Sequence, residues 1–235
     1  MSMKKFLLPT LLTAVLLGCS SDPSIDSSTR LVTNMTGGQS LGDSVSYFWY
    51  TEQYNFPLSA ADFVTSGDYG WYKSDYRWRR DGVIREVVRE GEQLKLNKGL
   101  IPYKLHLRFN DKGEAVYQQY RVDGKVLPIP QEDIAFVINN ADTLRETVLE
   151  QNSNGQKLVQ GYWDGKVFTT CSGKEYARFE INQALPNFVI NRLASLDSYA
   201  AFLAATTPST LTVIDMYNLA DDSFDCVERP NLIKD

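Results

Sequence analysis

Histidine occurs once in the 235 residues, as His106, and cysteine three times. Those shortages exclude much. No Cys-x-x-Cys is present, so neither a zinc knuckle nor a dithiol redox motif is available. A Ser-His-Asp or Cys-His arrangement would have to use His106. That residue lies between Leu105 and Leu107 on an expected strand, on one face with Lys104 and Arg108. It therefore reads as a solvent-facing strand residue rather than a general base. A glycine-rich phosphate loop and a His-Glu-x-x-His helix are both missing, and nothing implies a cofactor. Basic residues are in deficit, 24 against 29 acids, for a net charge of −5. Such a balance suits nucleic acid poorly, because neutralising phosphates needs surplus Lys and Arg. Nor is there an apolar run of the ~20 residues that a helix needs to cross roughly 30 Å of hydrocarbon.

What is present begins at the N-terminus. Lys4 and Lys5 precede an apolar stretch from Phe6 to Leu17, which closes on Leu16-Leu17-Gly18-Cys19. A positive segment followed by a short apolar one is the layout of a secretory signal. The closing tetrapeptide resembles the lipobox of bacterial lipoproteins. The resemblance implies a signal peptide over residues 1–18, cleavage before Cys19 and acylation of its thiol. Several acyl chains together make a stable anchor. Ser20 in place of aspartate after the cysteine resembles outer-membrane cargo. The expected location is therefore the inner leaflet of the outer membrane, facing the periplasm. Losing Lys4 and Lys5 with the signal takes the basic count from 24 to 22 against 29 acids.

Once lipid consumes Cys19, Cys171 and Cys226 remain as an even pair in an oxidising compartment. A disulfide between them is expected, with two buried thiols as the alternative. It would contribute roughly 3–5 kcal/mol by chain entropy.

Residues 19–43, rich in Ser, Asp, Thr and Gly, read as a flexible tether. Over 44–130 the pattern has period two. Tyr72, Ser74, Tyr76 and Trp78 alternate with Lys73, Asp75, Arg77 and Arg79, and Tyr103, Leu105, Leu107 and Phe109 alternate with Lys104, His106 and Arg108. This is an antiparallel sheet. Hairpins are expected at Asp81-Gly82, Lys112-Gly113, Asp123-Gly124 and Asp164-Gly165, where glycine tolerates positive φ. Arg77-Trp78 stands before Gly82 as Arg108-Phe109 stands before Gly113, two hairpins solving one problem twice. Ile134, Val137, Ala141, Leu144 and Val148 recur at helical spacing, so 131–153 is a linking helix. Strands resume at 156–163, 166–171 and 174–181, and a short helix follows near 184–194. The run 198–205 reads as strand or as an extension of that helix, and 210–217 as strand. Residues 154–235 thus have the strand–helix–strand order of a small OB-like barrel. The fold class is α+β, mostly antiparallel: an N-terminal meander, a linking helix and an OB-like C-terminal domain.

Phe168 to Tyr176 resembles a strand–turn–strand of OB-like domains in other envelope lipoproteins. The lipobox, Val122-Asp123-Gly124-Lys125, the central helix, Thr169-Thr170-Cys171 and Asp225-Cys226 together resemble the YjaH-type family of uncharacterised proteobacterial lipoproteins, a catalogued domain of unknown function. The resemblance implies location and fold, and carries no catalytic residue.

One basic-aromatic region stands out: Arg77, Trp78, Arg79, Arg80, Arg85 and Arg89. Arginine's planar fork suits phosphate and carboxylate, so the region is a candidate patch for an anionic envelope component. The plainer reading is a solvated sheet face whose arginines pair with Asp75, Asp81, Glu86 and Glu90. The expected function is non-enzymatic: a lipid-anchored protein that binds an envelope protein or anionic envelope component, or reports on envelope state. The alternative is a periplasmic hydrolase using paired carboxylates. Two or more acids gathered in a cleft beneath aromatics would favour it.

Overall fold

The computed structural model describes residues 32–181, 187–195 and 197–234. The expected signal peptide, Cys19 and the tether as far as Leu31 lie outside them, as do residues 184–186 of the short helix.

Eight strands form an antiparallel meander in sequence order. They are β1 (Val32–Leu41), β2 (Ser44–Gln53), β3 (Phe56–Thr65), β4 (Gly70–Trp78), β5 (Ile84–Lys95), β6 (Gly99–Phe109), β7 (Ala115–Val122) and β8 (Lys125–Leu127). The turns expected at Gly82, Gly113 and Gly124 join β4 to β5, β6 to β7 and β7 to β8. The hairpin from β2 to β3 carries no glycine. Tyr54 and Asn55 both take positive φ there, 54° and 65°, as a two-residue primed turn requires.

The tether is shorter than its composition suggests, because Val32–Leu41 is the first strand. Gly37 and Gly38 serve close packing there, not flexibility. A Cβ on Gly37 would run into Gln151, and one on Gly38 into Tyr217 and the Ser46 carbonyl. Gln151 also satisfies the strand backbone, accepting from Gly38 N at 3.1 Å and donating to Gly38 O at 2.7 Å.

Helix α1 (Gln131–Ser153) buries Ile134, Val137, Ala141, Leu144 and Val148. They pack on one face of the meander against Phe48, Tyr50, Tyr76, Trp78, Leu105 and Leu107.

Beyond it come β9 (Gln156–Trp163), β10 (Phe168–Thr170), β11 (Glu175–Tyr176), β12 (Arg178–Ile181), α2 (Asn187–Ser195), β13 (Ser198–Thr206) and β14 (Thr210–Asp221). They make a barrel-like six-stranded sheet in the order β11-β10-β9-β13-β14-β12, with β12 parallel to β14. Strand β13 explains why 198–205 reads two ways. Both of its faces are covered: Ala200, Phe202 and Ala204 point into the barrel core, while Tyr199, Ala201 and Leu203 meet Tyr47 of the first sheet. A strand buried on both sides loses its alternation.

This second contact places the barrel-like sheet on the meander face opposite α1. Val32–Asp235 is accordingly one compact unit, undivided at the boundary expected between 153 and 154. The C-terminal segment strengthens the union. Cys226 is bonded to Cys171, with Cα atoms 6.1 Å apart. Beyond it Arg229 donates to Thr51 Oγ1 and Ser59 Oγ at 2.8 Å each. Asp75 Oδ2 then accepts the backbone N–H groups of Leu232 and Ile233 at 3.1 and 3.0 Å. Among the described residues no helix is long and apolar enough to cross a membrane.

Candidate functional site

Within the meander three strand pairs slip register, each close to a hairpin at the same end of the sheet. The pairing jumps between Thr51 and Glu52, between Arg77 and Trp78, and between Arg108 and Phe109. Each jump leaves one residue without a partner: Leu58, Arg85 and Val116. The hairpins at the opposite end pair without a slip. A β-bulge re-aims the side chain it carries and increases local twist. Arg85 and Val116 are thereby turned into a cleft of about 550 Å³, completed by Arg79, Glu86, Arg108, Phe109, Ile233 and Lys234.

Four cations and one acid line that cleft. Arg79 sits in the β4–β5 turn, which closes through Arg79 N to Val83 O at 2.9 Å and Gly82 N to Arg79 O at 3.0 Å. Its guanidinium crosses to the next hairpin, where Nη2 donates to the Phe109 carbonyl at 2.6 Å. Its Nη1 is buried with no hydrogen-bond partner, a costly state for a charged donor. Glu86 is the one acid. Burial acts to raise its pKa, but hydrogen bonds from His106 and Arg108 outweigh that and hold it below the usual value. The distances are 2.7 Å to His106 Nε2 and 3.0 Å to Arg108 Nε.

The expected six-residue patch is divided by the fold. Arg79 and Arg85 line the cleft. Arg77 is half-buried and pairs with Asp75. Trp78 belongs to the core beneath α1. Arg80 is exposed on the turn. Arg89 is 4 % exposed, on the α1 side of the sheet. Its Nε donates to Ser74 Oγ at 2.8 Å and its Nη2 to Tyr76 OH at 3.0 Å, with the Tyr72 ring 4.1 Å away. Asp62 lies beside it, its pKa raised by burial against the pull of Arg89. Arg77, Trp78 and Arg89 are therefore structural, because the period-two pattern sends alternate residues to opposite, equally covered faces. His106 is more enclosed than expected, tied to Glu86 and packed edge-on against Tyr117 with ring centroids 5.0 Å apart.

Sequence reasoning missed Arg108, Val116, Ile233 and Lys234. The repeat of Arg-aromatic before glycine was the available signal for Arg108, since both copies mark a bulge. Nothing local pointed to the C-terminal pair, which arrives through the anchorage on Asp75.

A smaller cleft of about 320 Å³ gathers Glu90 and Glu92 with Trp71 and Tyr103. Each acid has a partner: Lys104 Nζ donates to Glu90 at 3.1 Å and Trp71 Nε1 to Glu92 at 3.0 Å. Among the described residues, no group of three or more His, Cys, Asp or Glu gathers that could hold a metal.

A family model described as a protein of unknown function (DUF1481) matches residues 36–231, from β1 to the C-terminal segment, and the chain belongs to that family. Membership of a catalogued family of unknown function was the expectation from sequence, and it holds. No curated protein and no solved structure matches the chain.

Proposed function

We propose that this member of the DUF1481 family is a lipid-anchored envelope protein that holds an anionic envelope component without transforming it. The ligand carries phosphate or carboxylate groups and sits in the cleft of Arg79, Arg85, Arg108 and Lys234. The observation that carries this reading is a cleft lined by four cations and one acid, one of those cations, Arg79, being short of a hydrogen-bond partner at Nη1. A charge-assisted bond to a bidentate anion would satisfy it. The anchor is acylated Cys19, supported by the lipobox at the end of a secretory signal. The protein then faces the periplasm from the outer membrane.

In-cell crosslinking of the lipidated chain tests the binding, run beside Arg79→Ala/Arg108→Ala. A discrete envelope component captured by the native chain and lost in the variant is the expected result. Capture that survives the variant would move the site elsewhere. Fractionation tests the anchor: Cys19→Ser should leave the membrane fraction.

The second reading, a hydrolase using paired carboxylates, draws on Glu90 and Glu92 beneath Trp71 and Tyr103. Against it, each carboxylate is already committed to a neighbouring donor. Turnover of an envelope glycan that Glu90→Gln or Glu92→Gln abolishes would establish it over the binding reading.

A further inference from the structure

We propose that the anion held in the cleft is the phosphate of a membrane lipid headgroup, so that the bulged end of the meander rests on the bilayer. This rests on the binding reading above and adds the class of ligand and the orientation of the protein.

Three independent features converge on that end of the sheet. The first is charge: Arg79, Arg85, Arg108 and Lys234 line the cleft, and the planar fork of a guanidinium suits phosphate oxygens. The second is apolar surface. Tyr54 and Phe56, on the β2–β3 turn, are 58 % and 56 % exposed, and Val116, the bulged residue at the cleft mouth, is 66 % exposed. With strands about 4.8 Å apart, the β2–β3 and β6–β7 turns lie roughly 20 Å from one another. Aromatic and aliphatic side chains thus flank a cationic cleft over a footprint of a few lipids, the pairing used by surface-bound proteins at anionic membranes.

The third feature is where the chain enters. Val32 pairs with Gln53, next to Tyr54, so the chain leading back to Cys19 joins the sheet at this end. Between Cys19 and Val32 it reaches at most about 45 Å when fully extended. These turns also carry three exposed acids, Asp81, Asp111 and Glu114, of which Asp81 accepts Val83 N at 3.0 Å and Glu114 accepts Asn110 Nδ2 at 2.7 Å. Arg80 and Lys112, exposed on the same turns, together with the four cations of the cleft, outnumber them.

The opposite end is the natural control. It also exposes apolar side chains, Tyr69 at 66 % and Leu96 at 86 % among them, yet its strand pairs run without a slip and the cleft toward it sets Lys104 and Arg121 against Glu90 and Glu92, with no surplus of cations. A strand of ten residues, about 33 Å long, separates it from the entry point.

The test is amide hydrogen exchange of the full lipidated chain in nanodiscs of phosphatidylcholine, with and without phosphatidylglycerol. Exchange over 54–58, 79–85 and 109–116 should slow by about tenfold with phosphatidylglycerol, while 95–99 stays unchanged. Arg79→Ala/Arg108→Ala should lose the difference yet keep the Cys171–Cys226 bond and native exchange at α1. Slowing at 95–99 instead, or equal exchange in both lipids, overturns the proposal. So does equal protection by inorganic phosphate added to phosphatidylcholine discs, which would make the ligand a soluble phosphate. If the lipid response is absent but the cleft variant still loses its crosslinked component, only the lipid assignment fails. If the cleft variant changes neither, the site lies elsewhere on the protein and the cleft is lost to both readings.

Discussion

Arg79 Nη2 donates to the carbonyl of Phe109 at 2.6 Å, joining the β4–β5 turn to the last residue of β6. One arm of the guanidinium holds two hairpins together, and the other, Nη1, is buried and unpartnered. Lysine keeps the charge but offers a single ammonium in place of a fork. Arg79→Lys should therefore lower affinity for the anionic ligand by about tenfold, with loss of roughly 1 kcal/mol of stability for the weakened tie to Phe109. Urea unfolding and the lipid titration read the two effects separately. Unchanged affinity would mean that only the charge at this position matters.

The arginines that a sequence groups together should behave in opposite ways. Arg89 is enclosed by Ser74, Tyr76 and the Tyr72 ring, beside buried Asp62. Removing it strands a buried carboxylate, so Arg89→Ala should cost about 3–5 kcal/mol. Arg80 lies exposed on its turn, and Arg80→Ala should stay within about 0.5 kcal/mol of the native protein. Equal urea midpoints for the two variants would contradict the division.

That contrast marks where the sequence is legible and where it is not. Alternation around Tyr76 and Leu105 and the glycine turns report local geometry, so the meander, α1 and the fold class can be read directly. The helical spacing from Ile134 to Val148 does the same for the helix. Alternation does not say what covers each face. Asp75 looks like a solvent-side residue until Leu232 and Ile233 are seen donating to it from 157 and 158 residues away. Likewise, a bulge is one residue of register. It leaves no mark in composition, so Arg85 and Val116 read as ordinary strand positions. The β1 glycines mislead for a related reason: the packing of Gln151 and Tyr217 against them is long-range information.

The disulfide fixes the start of the segment that ends in the cleft. Its bond spans 55 residues of sequence, for which the chain-entropy model gives about 4 kcal/mol. Cys226→Ser should lower the free energy of unfolding by about that much, read from urea transitions with native protein under reductant as the parallel case. Because Arg229, Leu232 and Ile233 follow Cys226 directly, amide exchange at 232–233 should also accelerate. Loss of stability without faster exchange there would show that the contacts of Asp75 and Arg229 hold the segment by themselves.

Glu86 couples stability to binding, and its variant separates the two. Burial raises its pKa, yet the hydrogen bonds from His106 and Arg108 prevail, and the folded value lies below the ordinary 4.5. A carboxylate depressed in the folded state contributes stability that is present above its unfolded pKa. That contribution fades as pH falls through the folded value. Asp62 and Asp75 act in the opposite sense. Burial raises both, so each favours the fold when protonated and loses that contribution as pH rises through the raised pKa. The informative quantity is therefore the difference between native protein and Glu86→Gln, in which the aspartates cancel. That difference should be largest above pH 4.5 and should shrink as pH drops below it. At neutral pH the same variant removes the one acid of the cleft and loosens Arg108 from its partner, so anionic lipid should bind more tightly, by about tenfold. A variant less stable at neutral pH that nonetheless binds better is the combined outcome expected of a cleft built for an anion. Weaker binding by Glu86→Gln would show instead that Glu86 positions Arg108 for the ligand.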